Sequence, residues 1–175
     1  MSVERQRKIE LLVRKNEAKR DHPDYASELS RVLKYPIDVQ DLIDLEVTDD
    51  LFAQFDTNAR RRDTTWVLKR TWPTVPNMPW IRICLCLAQE LKSEPVALFA
   101  GPYKECGAVR IAAEHPLMYA LSVLEFDGDT LRMHSLASDG GLYLDLYEED
   151  GTALIELSIW GAWCPTAEKC LEEAT

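Results

Sequence analysis

The sequence predicts an α+β domain: N-terminal helices, then an antiparallel β-meander, then a C-terminal helix. Apolar residues recur at helical spacing through the first 57 positions. From residue 95 onward, short alternating stretches are separated by Asp127-Gly-Asp, Asp139-Gly-Gly and Asp150-Gly. Asp-Gly between alternating hydrophobics is the strongest short-range hairpin signal. No linker, repeat or low-complexity tract interrupts the chain. Residues 1–175 therefore read as one domain, helical over 1–57, mainly antiparallel sheet over 64–160 and helical again over 165–173.

The elements follow in order. Residues 3–20 form a charged helix capped by Ser2, with Ile9, Leu12 and Val13 as an apolar stripe and Glu4/Lys8 and Glu10/Arg14 as i,i+4 pairs. A second helix is expected from Pro23, burying Tyr25, Leu29, Val32 and Leu33 and ending at Tyr35-Pro36. Asp38 caps a short piece bearing Leu42, Ile43 and Leu45, and Thr48-Asp49-Asp50 starts a helix with Leu51, Phe52 and Phe55. Trp66 to Trp72 alternates as a strand, and Pro73, Pro76 and Pro79 make a stiff connector. Residues 80–92 fit two patterns. Ile81, Ile83, Leu85 and Leu87 alternate like a strand, the preferred reading, while Gln89 to Lys92 and a cap at Asn77 suit a helix. Strands are expected at Val96–Ala100, Met118–Phe126, Thr130–Leu136, Leu142–Glu148 and Thr152–Trp160. The last helix opens at Pro165 and presents Ala167, Cys170 and Leu171.

Charge is unevenly placed. The net −10 arises wholly after residue 70, where 6 basic side chains face 16 acidic ones; before it the two signs balance at 14 each. An acidic half repels nucleic acid and anionic lipid and attracts basic proteins. Arg60-Arg61-Arg62 follows an acidic block and reads as internal neutralisation. The apolar run Ile83–Ala88 is too short to cross a bilayer, and the N-terminus lacks the apolar core of a leader, so a cytoplasmic protein without a membrane partner is expected. Cys84, Cys86, Cys106, Cys164 and Cys170 are odd in number and lack paired zinc spacing, which predicts reduced thiols and no metal.

The hairpin at Asp150-Gly151 fixes a register. With those two residues as the loop, Leu142, Leu144 and Leu146 oppose Ile159, Leu157 and Ile155 on a core face. The other face sets Tyr147 against Leu154, Asp145 against Glu156 and Tyr143 against Ser158, with Trp160 beyond. Two carboxylates directly opposed destabilise an isolated sheet, so something must offset them. Arg132 or His134 on the preceding strand, a helix covering the face, or a cation from a partner would each do so. The candidate binding residues are accordingly Asp127, Asp129, Arg132, His134, Tyr143, Asp145, Tyr147, Glu148, Glu149, Asp150, Glu156, Trp160 and Trp163.

No phosphate loop, serine elbow or cofactor motif is present, so no catalytic residue and no cofactor is expected. The alternatives are a small enzyme using Cys106 with His115 or His134, and an adaptor binding through its basic first helix. In its acidic second half and in the segment Gly141-Leu-Tyr-Leu-Asp-Leu-Tyr-Glu-Glu-Asp-Gly-Thr-Ala-Leu-Ile-Glu-Leu-Ser-Ile-Trp-Gly161, the chain resembles bacterial toxin-immunity proteins. That resemblance implies a non-catalytic cytosolic inhibitor that occludes the active site of a basic toxin such as a nuclease.

Overall fold

The computed structural model describes residues 3–61, 65–72 and 79–174. Ser2, Arg62, Pro73, Pro76 and Asn77, with the expectations attached to them, lie outside that range. The predicted α+β class holds, with seven helices and one six-stranded sheet among the described residues.

Helix α1 runs unbroken from Val3 to Leu33, with Pro23 inside it, where two helices were expected. An interior proline removes one hydrogen bond and costs about 3 kcal/mol. Here that cost is offset on both sides. Tyr25, Ala26, Leu29 and Leu33 are buried beyond it, and Tyr25 donates from its hydroxyl to the Ala100 carbonyl at 2.7 Å. Before it, Ala18 is buried, and Arg14 and Lys15 pair with Asp49 at 2.8 Å and Asp44 at 3.0 Å. Asp38 is a cap, as expected, but the piece it caps is the short 3-10 turn Val39–Asp41, which ends before Leu42, Ile43 and Leu45. Helix α2, Leu45–Ala59, begins three residues before the expected Thr48, because Asp44 accepts from the Glu46 N–H at 2.9 Å. Thr48 is then interior and buried, donating to the Ile43 carbonyl and accepting from the Ala108 N–H.

Strand β1 (Thr65–Thr71) precedes helix α3, Pro79–Glu90, on the segment preferred as a strand. Helical spacing wins there because Trp80, Ile83, Cys84, Leu87 and Ala88 are buried together, while Leu85, from the alternating set, is 43% exposed. Strand β2 (Pro95–Phe99) was anticipated; α4 (Tyr103–Cys106) and β3 (Val109–Ala112) were not. The expected strand Met118–Phe126 is a second correction, since α5 (Glu114–Met118) and α6 (Ala120–Asp127) occupy it. Its Asp127-Gly128 is a helix end, not a hairpin: Gly128 takes the left-handed conformation and its N–H reaches the Leu124 carbonyl. Then come β4 (Thr130–Ser135), β5 (Gly141–Glu149), β6 (Thr152–Trp160), a 3-10 turn at Gly161–Trp163 and α7 (Cys164–Ala174).

All strand pairings are antiparallel in the order β1-β6-β5-β4-β2-β3. The leucine and isoleucine face of the sheet, including Leu131, Leu144, Ile155 and Leu157, packs against buried residues of α1, α3, α5, α6 and α7. On the other face α2 sets Phe55 against Phe99 and Trp160. A disulfide joins Cys86 of α3 to Cys170 of α7, which corrects the expectation that all five thiols are reduced.

Candidate functional site

Alternation along the strands places the α2-side residues in rows across the sheet. The first row is Thr65, Trp160, Gly141 and His134; the next is Val67, Ser158, Tyr143 and Arg132. A third row holds Lys69, Glu156, Asp145 and Thr130, and a fourth Thr71, Leu154 and Tyr147. Helix α2 packs on the first two rows, with Phe55 at 5.2 Å from the Trp160 ring and 6.2 Å from that of Tyr143. Between α2 and this face lies a cleft of about 590 Å³, lined by Phe52, Phe55, Arg60, Val67, Tyr143 and Glu156 among others. The third and fourth rows continue the face beyond it.

The predicted hairpin register is met at every position, and Asp145 lies opposite Glu156. Among the described residues neither carboxylate is in an ion pair. Glu156 accepts from the Tyr147 hydroxyl and the Ser158 hydroxyl, each at 3.4 Å. Burial holds the Asp145 carboxyl above its ordinary range; the Tyr143 hydroxyl and Arg132 oppose that rise and Glu156 adds to it. Burial, reinforced by Asp145, pushes Tyr143 up to about 12. Lys69 stands beside Glu156 in the row, yet its ammonium pairs with Glu149 at 2.8 Å and sits 5.2 Å from the Tyr147 ring centre.

Several predicted residues fall elsewhere. Arg132 is near Asp145 but donates to Asp127 at 2.8 Å. Asp127 is therefore no surface carboxylate: its side chain is 3% exposed and also accepts from Thr130 and from the Gly101 N–H. His134 is buried two rows from the carboxylate pair and does not neutralise it. Trp160 and Trp163, expected as anchors, are each 2% exposed and belong to the core. Tyr143 is half-buried under Phe55, whereas Tyr147 lies past α2. Glu148 is exposed on the opposite face by alternation, Glu149 and Asp150 are exposed at the hairpin tip, and Asp129 is exposed after α6. Lys69, Val67, Ser158 and the α2 phenylalanines were missed as site residues. Strand β1 and α2 were foreseen, but which part of the sheet each would meet is a long-range matter.

The enzyme alternative rests on Cys106 with His115 or His134. Cys106 is 2% exposed, and burial pushes its thiol up to about 11, away from the nucleophilic thiolate. His115 lies against Tyr35 in a tilted pair, with ring centres 3.9 Å apart. Among the described residues no group of three or more His, Cys, Asp or Glu side chains is placed to hold a metal ion. Arg60 pairs with Asp56 one turn earlier, consistent with neutralisation inside the fold.

His134 gives a test of the first row. Burial holds its imidazole below the ordinary value, with Asp139 opposing, and Nδ1 has no hydrogen-bond partner among the described residues. The unfolded chain thus binds the proton more readily than the folded one. The contribution of His134 is complete above the unfolded value of about 6.5 and is lost as pH falls toward the depressed folded value. Urea titrations from pH 7.5 down to 5 should show falling stability, at most about 1.4 kcal/mol per pH unit from this group. His134→Gln should flatten that slope; an unchanged slope would assign it to other residues.

No protein family, curated protein or solved structure matches the chain. No helix among the described residues is long and apolar enough to cross a membrane.

Proposed function

We propose that this protein is a non-catalytic inhibitor that binds a basic partner protein, a toxin domain of the kind countered by immunity proteins, and occludes its active site. One observation carries the reading. The α2-side sheet face holds Asp145 opposite Glu156 with no ion pair among the described residues, and Tyr147 and the acidic tip Glu149-Asp150 extend the same surface. Like charges opposed on a sheet cost roughly 0.2–1 kcal/mol, and a partner cation would reverse that cost. Electrostatic attraction would speed encounter, and the tyrosines would slow dissociation. Nucleic acid and anionic membrane are disfavoured by the same charge. A cytosolic location belongs to the proposal too; thiol pools there would keep Cys86 and Cys170 reduced, so the packed core would have to suffice without the bond.

The test is co-purification with the protein encoded beside this one. A complex should form, weaken between low and high salt, and be lost or strongly weakened by Asp145→Asn with Glu156→Gln. The same double variant should be more stable than the parent by up to about 1 kcal/mol in urea, since the repulsion is gone. A complex indifferent to both salt and the variant would overturn the proposal. An adaptor function through α1 is the second reading, favoured by the exposure of Ile9, Leu12 and Val13 at 45%, 60% and 50%. It predicts that deleting residues 1–20 abolishes the complex while the double variant retains it.

A further inference from the structure

The unpaired carboxylates raise the question of why Lys69 does not neutralise them. Lys69 and Glu156 are register partners on adjacent strands, so the shortest ion pair open to the ammonium is with Glu156. Instead the side chain crosses β6 to β5, where it meets the Glu149 carboxylate at 2.8 Å and lies 5.2 Å from the centre of the Tyr147 ring. A carboxylate beside an aromatic face is a seat for a compact cation. The Tyr147 hydroxyl is turned to Glu156, which joins the seat to the carboxylate pair. Both partners of the ion pair are substantially exposed, 42% for Lys69 and 57% for Glu149. Such pairs contribute little to stability, so the seat can be vacated at small cost.

Resting on the binding proposal above, we propose that the Tyr147–Glu149 seat is a lysine-recognition site, held in the free protein by Lys69 as a stand-in and taken in the complex by a lysine of the basic partner. Lys69 is then a gate on affinity and a source of specificity. A partner must offer an ammonium able to displace it, and a partner with the right net charge but no lysine at that point gains nothing from the seat. Vacating it also leaves Lys69 free beside Glu156, its register partner.

The experiment uses the full chain and a capped octalysine peptide, followed by calorimetry at low salt. Lys69→Met should bind the peptide about 1.5- to fivefold more tightly than the parent, the range expected for removing one exposed competing pair. Lys92→Met removes the same charge from an exposed position in the turn after α3 and should bind as the parent does. In the parent, the Lys69 side-chain proton resonances should move toward free-lysine values as the peptide saturates. Equal binding by Lys69→Met and Lys92→Met, or unmoved Lys69 resonances at saturation, would overturn the seat. Failure of the parent reading looks different: octalysine binding would then be unaffected by Asp145→Asn with Glu156→Gln. If that double variant loses the peptide while Lys69→Met gains nothing, the face stands and the lysine seat alone is refuted.

Discussion

Reducing the protein, or replacing Cys86 and Cys170 by serine, should lower its unfolding free energy by about 4–5 kcal/mol. The two cysteines lie 84 residues apart, and a cross-link of that span removes a large share of the unfolded chain's freedom. Urea titration of the parent with and without a dithiol should show the drop. The serine double variant should start from the lower value and ignore the dithiol. A shift below 1 kcal/mol in the parent would mean that the α3–α7 layer is held by its other contacts without the bond. The remaining layer contacts are substantial: Ala167 and Trp163 are buried, and Lys169 pairs with Glu90 at 2.8 Å. The outcome also bears on compartment, because a chain needing this bond could not work where thiols are kept reduced.

The missed disulfide shows where local reading ends. As a strand, residues 80–92 would send Cys84 and Cys86 to the same side. As helix α3, Cys84 turns into the core, where burial pushes its thiol to about 12, and Cys86 turns toward α7. Periodicity over about a dozen residues does not separate the two, and the choice is made by packing against the sheet. The hairpin at Asp150-Gly151 is the opposite case. A two-residue loop leaves one register, so the opposition of Asp145 and Glu156 was legible without any tertiary information. The same dipeptide at Asp127-Gly128 misled, since glycine after a helix and glycine in a hairpin meet the same need for positive φ. Which face a helix covers was not legible at all. Helix α2 lies about a hundred residues from the strand segment it caps, and nothing in either sequence states the pairing.

Trp160→Ala and Tyr147→Ala should separate core from surface on that shared face. Trp160 is 2% exposed, meets Phe55 edge-on at 5.2 Å and lies across Gly141, where any side chain would collide with the indole. Its removal should cost about 3–5 kcal/mol, through lost burial and a cavity between α2 and the sheet that the backbone cannot close. Tyr147 is half-buried beyond α2, and its hydroxyl bond to Glu156 is long, so its loss should cost under about 1 kcal/mol. Partner binding should respond in reverse. At temperatures where both variants are folded, Tyr147→Ala should weaken the complex more than Trp160→Ala does, because only Tyr147 would touch the partner. Were Trp160→Ala to unfold like the parent yet lose the complex, the indole would be a true anchor. Helix α2 would then have to swing off the sheet when the partner arrives. The Phe55–Trp160 contact argues against that, since exposing both rings would return to water two of the larger apolar surfaces on this side of the sheet.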